Sequence, residues 1–496
     1  MQKIRLNGSL RCIKRSVSMG AVLSGSILIY FLLVSQLCRN GCTDYTLTAL
    51  LLPGHLAVIA GFALIVWRVV RYNPDLMFSP AIGFMVCCAV FFGFGNLSTI
   101  LSDDSTQYFM ALGLYHPGEA GQLRADVLTF FGATVLLTAL NFGFSLRYGE
   151  FPKGRAASAL PARVISLTFV LGGLALKYGV LIPARWGYVQ WVVPGMLSNL
   201  AQVPDLGFFL MAFMAARGDR TMRWMFPFLW VPYLGLCLLE FSKTTVMFAV
   251  LMPALGTFLG KRSFKSLAIW LVFAGVLFSA TQNVNLSSRK AVYSYSGIED
   301  QAPLEQRVRI FFQSISEAGH DQATLVDLMS LPDQLWWVRL NYAGPQIRAM
   351  ELYDAGMGTD WLVSPLAYLI PRVLWPDKPE LVSPGQIFNR TVSRNDDTIG
   401  RVAITIFGEG YWLMGWAGVA LISACTGLIL GVLTRQSYFY MESKNFIYLP
   451  LVLVAYKMAV MDVLGFFQTN ILGSLSIYIG FRVTVATLLF MLKGAR

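Results

Sequence analysis

Apolar stretches close to the ~20 residues needed to cross the hydrocarbon core of a bilayer recur along nearly the whole chain. Few soluble folds could bury so many, so this one feature directs the chain to an all-α polytopic membrane protein. Composition agrees: of 496 residues, 56% are hydrophobic and 13% charged, and a domain count taken from length alone has no meaning here. The spacing predicts about twelve transmembrane helices. Six are Val17 to Leu37, Thr46 to Val70, Ser79 to Leu101, Val127 to Leu146, Pro161 to Ile182 and Leu197 to Ala216. The other six are Trp224 to Leu239, Thr244 to Leu259, Ser266 to Thr281, Val402 to Leu433, Phe446 to Gly465 and Ile471 to Leu492. The tenth is long enough to be tilted or broken, and Glu240 to Lys243 separates two short runs.

A net charge of +12 invites a nucleic-acid reading, but the bases lie in short clusters between apolar runs, which argues against one. Alternate loops are unequal. Twenty-one bases fall on one side, beginning with Lys3, Arg5, Arg11, Lys14 and Arg15, whereas the opposite short loops hold Arg39, Arg124, Arg185 and Lys243. Positive residues stay on the cytoplasmic side, so both termini are expected there, and the first apolar run, Val17 to Leu37, is read as a retained anchor. Seven cysteines show no zinc spacing, and no metal or cofactor is expected. Cys38 and Cys42 bridge if they face an oxidising compartment; ordinary thiol packing is the alternative.

Organisation follows as spans one to nine over residues 1–281, a hydrophilic insertion over 282–401, and three further spans over 402–496. The insertion falls on the extracytoplasmic side. Within it, Leu304 to Met329 and Pro332 to Ala355 have helical apolar spacing, exemplified by Val308, Phe311, Phe312 and Ile315, and Trp361 to Leu374 is expected to be interfacial or re-entrant. It holds eleven bases, nine of them Arg, among fourteen acids. Arginine's planar fork binds phosphate or carboxylate bidentately, a chemistry suited to an anionic, lipid-linked substrate; salt bridges within the loop or contacts with head groups are the simpler uses.

Particular positions stand out. Arg289 and Lys290 follow the ninth span closely, at the depth of a polyprenyl pyrophosphate's phosphates. Arg339 and Arg348 would lie on opposite faces of one straight helix, unless Gly344-Pro345 breaks it. Three prolines stiffen Pro371-Arg372-Val373-Leu374-Trp375-Pro376-Asp377-Lys378-Pro379, holding Arg372 and Lys378 near the interface. Gly408-Glu409-Gly410-Tyr411, with Gly415 and Gly418, places a carboxylate at the start of the tenth span among residues that permit close helix approach.

The order Arg339-Leu340, Pro371-Arg372, Leu374-Trp375-Pro376, Lys378-Pro379, Gly408-Glu409, Tyr411, Gly415 and Gly418 resembles bacterial O-antigen and exopolysaccharide repeat-unit polymerases, mainly over residues 289–418. Neither Arg339 nor Arg348 has a glycine eleven residues on, as one pattern among such proteins has. The resemblance implies an inner-membrane glycosyltransferase that transfers a glycan from its undecaprenyl pyrophosphate carrier to a new lipid-linked repeat unit on the periplasmic face. It also implies essential loop arginines and no nucleotide sugar or metal. Expected partners are the polyprenyl-pyrophosphate-linked oligosaccharide, membrane lipids, a chain-length regulator and a flippase.

Transfer needs cations on the leaving pyrophosphate and a positioned acceptor hydroxyl. Arg289, Lys290, Arg339, Arg348, Arg372, Lys378 and Tyr411 are the candidate substrate-binding residues, and Glu409 and His320 the candidate general bases. His55 and His116 carry less weight, having no charged neighbour in a motif. Lys177, Lys457, Asp462 and Arg482 lie in or near apolar spans, where ionised groups are costly. They keep a transporter of lipid-linked glycan as the non-enzyme alternative; a glycan ligase shares the donor chemistry.

Overall fold

The computed structural model describes residues 2–101, 118–146, 159–189, 200–296, 301–318, 340–359, 375, 383–395, 401–442 and 446–494. Among these the regular structure is all helix, with eight helices long and apolar enough to cross a membrane. Three more expected spans coincide with shorter apolar helices, Pro80–Gly95, Leu200–Ala216 and Phe264–Leu277. The eleventh holds a helix of 12 residues. The chain divides into two compact units. One comprises Met1–Lys153, Leu325–Lys444 and Leu451–Ile479; the other comprises Gly154–Thr324, Asn445–Pro450 and Gly480–Arg496.

The first unit opens with α1 (Gln2–Leu37), α2 (Asp44–Tyr72), α3 (Pro80–Cys87, continued by the wider π turns of Cys88–Gly95) and α4 (Gly118–Ser145). Cys38 and Cys42 are joined in a disulfide between α1 and α2.

In the second unit α5 (Ala159–Leu167) is carried on to Arg185 through two π-helical stretches, Thr168–Gly172 and Lys177–Leu181. There follow α6 (Val203–Ala216), α7 (Arg220–Leu239), α8 (Lys243–Lys261), α9 (Phe264–Ser296) and α10 (Leu304–Ala318). The break expected after Glu240 is present: Phe241 takes a left-handed φ of 51° and the Ser242 hydroxyl accepts the Thr245 N–H at the start of α8.

The chain then returns to the first unit with α11 (Ala343–Asp354), α12 (Pro384–Ser393), α13 (Thr405–Glu442) and α14 (Leu449–Val460). The last helix, α15 (Leu472–Gly494), is preceded by π turns over Phe467–Ile471.

Glycines four apart fix the main helix pair of each unit, because hydrocarbon gives helices no hydrophobic reason to associate and close backbone packing must supply it. On α13, a Cβ at Gly427 or Gly431 would stand 2.3 Å from the Leu136 or Leu140 carbonyl of α4. On α8, a Cβ at Gly256 or Gly260 would meet the Phe209 or Phe213 carbonyl of α6 at 2.3 Å or 2.8 Å.

Asp219 starts α7. Its carboxylate accepts the Met222 N–H at 3.2 Å and both arms of Arg163, at 2.7 Å and 3.1 Å. Burial pushes this carboxyl up, but the Arg163 fork and the helix N–H groups outweigh it and hold the group below the usual carboxylate range. The associated stability is therefore complete above the unfolded value near about 3.9 and is lost as pH falls through the lower folded value. Asp219→Ala should cost about 1–2 kcal/mol at neutral pH. Melting curves in detergent from pH 6 to 3 should also show a smaller acid loss in the variant than in the native chain.

Two expectations about the insertion change. Helix α9 does not end with the ninth span: it has 33 residues, about 50 Å of helix against about 30 Å of hydrocarbon. Arg289 and Lys290 lie on its continuation, eight and nine residues past Thr281, so Arg289 is raised about 12 Å along the axis rather than held at the span's end. On α10 the buried side is Arg307, Ile310 and Ser314, with Phe311 half-buried, whereas Phe312 is 64% exposed and Ile315 43%. A polar interaction sets that face. Buried Arg307 donates to the carbonyls of Ala302 (3.0 Å) and Leu239 (3.1 Å) and lies over the rings of Trp186 and Phe241, and Ser288 donates to Ser314 at 3.0 Å.

Candidate functional site

In the first unit, the Gly408–Gly418 motif makes a fold-back rather than a straight helix start. Met414 (φ −143°, ψ 23°) and Gly415 (φ 61°, ψ −145°) leave helical geometry. Beyond them the backbone returns so closely that a Cβ on Gly418 would stand 2.0 Å from the Gly410 carbonyl oxygen. Eight residues of straight helix would hold these two about 12 Å apart. Gly415 supplies the left-handed φ, and the ring of Tyr353 lies 3.0 Å from where its Cβ would be.

The fold-back presents Tyr411 to the end of α11. Its hydroxyl donates to Asp354 Oδ1 at 3.1 Å, while Asp354 Oδ2 takes Nη2 of Arg124 from α4. The Tyr411 ring is buried, but the Arg124 and Asp354 side chains are 42% and 44% exposed. Tyr353 and Trp416 each meet Tyr411 edge-on at 5.4 Å. Together they give a guanidinium, a carboxylate and a phenol, open on one side and walled by aromatic rings. A guanidinium there can bind an anionic oxygen, and an exposed carboxylate can accept a hydroxyl.

Beneath it a buried seam seats α11. Thr129 of α4 donates to Gln346 Oε1 at 3.1 Å, and Gln346 Nε2 donates to Thr405 at 2.8 Å. Ala349, Leu352, Phe388, Ile404, Trp412 and Phe466 form the apolar part of the seat. Proline 345 stands in the first turn of α11, where its missing N–H costs nothing, so Gly344-Pro345 begins a helix instead of breaking one.

Glu409 faces elsewhere, as expected for a residue two from Tyr411 on a helix. It is buried; Oε2 accepts the Phe467 N–H at 2.5 Å, and Oε1 has no hydrogen-bond partner among the described residues. The side chain thus caps the helical turns that lead into α15. Arg348 pairs with Glu351 one turn on, at 2.5 Å, with both side chains part-exposed. Arg289 is exposed on α9, in the second unit. His320, Arg339, Arg372 and Lys378 lie outside the described residues. Of the nine candidates, the structure therefore brings Tyr411 into the open cluster and places Arg348 on the same helix as Asp354.

Arg124 and Asp354 were not among the candidates. One was read as an ordinary loop base and the other as one acid of fourteen, and no local motif joins positions 230 apart. Lys177 and Lys457, two of the charges expected in the apolar spans, each have an acidic partner. Lys177 meets Glu240 at 2.8 Å, with the Tyr178 hydroxyl also donating to Glu240 at 2.8 Å. Lys457 lies 3.6 Å from Asp462, which accepts the Ser474 hydroxyl at 2.5 Å. Among the described residues no group of three or more His, Cys, Asp or Glu could hold a metal ion. Compared with protein families, curated proteins and solved structures, the chain matches none.

Proposed function

We propose that the chain is a membrane glycosyltransferase of about twelve spans that polymerises oligosaccharide repeat units carried on a polyprenyl pyrophosphate, at the periplasmic face of a bacterial inner membrane. One observation carries the reading: the half-open Arg124–Asp354–Tyr411 cluster lies where the long hydrophilic insertion meets the glycine-built fold-back. That fold-back holds part of the motif on which the resemblance to repeat-unit polymerases rests. The Cys38–Cys42 disulfide supports an oxidising side for the α1–α2 turn, and hence a cytoplasmic amino terminus.

In this reading the acceptor hydroxyl attacks the anomeric carbon, the bond to the pyrophosphate oxygen breaks, and the hydroxyl proton must leave. Arg124 offers charge to the leaving diphosphate. Asp354, with Tyr411 and Arg124 fixing its two oxygens, orients the acceptor and is placed to take its proton. Glu409, committed to Phe467, supports the geometry from below.

Reconstitution with lipid-linked repeat units tests the proposal. Longer lipid-linked products support polymerisation, transfer to another lipid supports ligation, and a change of sidedness without new bonds supports transport. Asp354→Asn and Arg124→Ala should each lower polymer formation by about 100-fold, the scale of a lost general base or charge stabiliser. Their melting temperatures should barely change, since a pair this exposed contributes about 0–1 kcal/mol. Undiminished polymer in both variants would remove the cluster from the mechanism.

A further inference from the structure

The fold-back carries an apolar surface that neither the ion pair nor the seat of α11 explains. Met414 and Trp416 flank Gly415, and Tyr353 and Met357 lie at the end of α11; all four side chains are 36–45% exposed. They are neighbours. The Tyr353 ring lies against Gly415, and the Met357 carbonyl accepts the Trp412 indole N–H at 2.9 Å. The Trp416 ring stands nearly perpendicular to both Tyr411 and Phe131 of α4, with 5.4 Å between centroids in each case. Those contacts hold the indole in place and leave much of it bare.

Single exposed apolar residues are ordinary, and on the spans lipid covers them. What borders this group sets it apart. Arg124 and Asp354, and Arg348 and Glu351 on the last turns of α11, are 39–45% exposed. Ionised side chains are costly in hydrocarbon, so this face meets water. A cluster of large apolar side chains rimmed by polar ones, on a wetted face, marks a place where a ligand sits.

That ligand has to be amphipathic over the width of one ring. A pyranose is: its ring C–H bonds make an apolar face, whose partly positive hydrogens are drawn to the negative face of an aromatic ring, and its hydroxyls lie round the edge. Asp354 meets the second half of the requirement. Among the described residues each of its oxygens takes one donor, Tyr411 on Oδ1 and Arg124 on Oδ2. A carboxylate has about four lone-pair sites, so a hydroxyl can be accepted without breaking either contact. Tyr411 joins the two halves, with its ring against Trp416 and Tyr353 and its hydroxyl on Asp354. A prenyl or acyl chain would use the rings and leave the carboxylate idle.

We propose that Trp416 and Tyr353 form a sugar-stacking platform beside Asp354, which holds one pyranose ring by its C–H face and by a hydroxyl at its edge. Trp416 is the specificity-determining residue: rings with an uninterrupted C–H face are taken, and those with a hydroxyl projecting from that face are disfavoured. The assignment of this ring to the acceptor rests on the glycosyl-transfer reading, whereas the platform itself asks only that the ligand be a sugar.

The chain has twelve tryptophans, and 5-fluorotryptophan incorporated into the full chain in lipid nanodiscs gives each a 19F resonance. The one lost in Trp416→Phe, or in Trp416→Tyr should the first not fold, belongs to Trp416. The probes are methyl β-D-glucopyranoside, methyl β-D-galactopyranoside, methyl α-L-rhamnopyranoside and methyl N-acetyl-β-D-glucosaminide. Each is added to about 100 mM, because a single ring is held at about millimolar strength or weaker. At least one should shift the Trp416 resonance saturably, and Asp354→Asn should weaken that binding by about tenfold, the share of a hydrogen bond to a charged group. No shift with any of the four, or equal binding with and without the Asp354 carboxylate, would overturn the proposal. A shift by geranyl diphosphate alone would overturn it too and give the face to the carrier's chain. Polymer formation is read separately: sugar binding without polymer keeps the platform and removes the transfer reading, and polymer with an unshifted Trp416 removes the platform alone.

Discussion

Replacing Gly418 by alanine should abolish accumulation of the folded protein. The new Cβ would lie 2.0 Å from the Gly410 carbonyl oxygen and 3.0 Å from the Met414 Cβ. Neither obstacle is a flexible side-chain end that could swing aside, so the fold-back of α13 itself must open. Overpacking in a tight core costs about 1–3 kcal/mol, occasionally more, and a backbone obstacle belongs at the upper end. Opening would also release Tyr411 from Asp354 and Glu409 from Phe467, which adds lost hydrogen bonds to the cost. Gly235→Ala and Gly275→Ala provide the controls, since a Cβ at either position meets nothing within 4 Å. Size-exclusion profiles of a fluorescent fusion should show a monodisperse peak for the controls and its loss for Gly418→Ala. A normal peak for Gly418→Ala would mean that α13 does not turn back at Gly415.

Lys177→Met should be nearly as damaging, for an electrostatic reason. Nζ lies 2.8 Å from Glu240 and 5.1 Å from the centres of the Tyr178 and Tyr233 rings, and the Lys177 and Glu240 side chains are 2% and 4% exposed. Removing the cation leaves a buried carboxylate whose remaining partner is a tyrosine hydroxyl, a change that costs about 3–5 kcal/mol. Adding Glu240→Gln removes the stranded charge, so the double variant should melt closer to the native chain than Lys177→Met does. Thermal unfolding of the four proteins in one detergent completes the cycle. Equal and additive losses would show that the two side chains do not act as a pair.

Much of this architecture is legible in the sequence because hydrophobic length is a local property. Eleven of the predicted spans coincide with an apolar helix, eight of them long enough to cross a membrane, and the break at Glu240 follows from charge interrupting two runs. Close helix approach at Gly408–Gly418 could also be read, since glycines leave few other uses for such a cluster; the reversal of direction could not, because nothing local distinguishes a fold-back from a kink. On α10 apolar spacing pointed to Val308, Phe311, Phe312 and Ile315, of which Phe311 packs against the buried cluster while Phe312 and Ile315 are exposed; the packed side also holds Arg307, a charge whose partners include backbone carbonyls with no sequence signature.

The open cluster was hardest to foresee. Tyr411 belonged to a motif, but Arg124 and Asp354 meet only through the tertiary fold. One signal was available for the buried contact of His55 with Asp126, 3.2 Å apart: Gln122, Asp126 and Thr129 recur at helical spacing along one side of an otherwise apolar span, and polar residues are seldom placed there without partners. Such a stripe identifies the face but leaves unspecified that His55, Asn96 and Gln346 complete it.

The first unit is interrupted in the chain by about 170 residues of the second. A ribosome adds about 5–20 residues per second, so α1 to α4 wait roughly 10 to 40 s in the bilayer before α11 is begun and roughly 13 to 50 s before α13 is. Throughout that interval Thr129 lacks Gln346, and the glycines of α13 that clasp α4 do not yet exist. The nascent amino-terminal helices must therefore survive half-assembled until synthesis catches up.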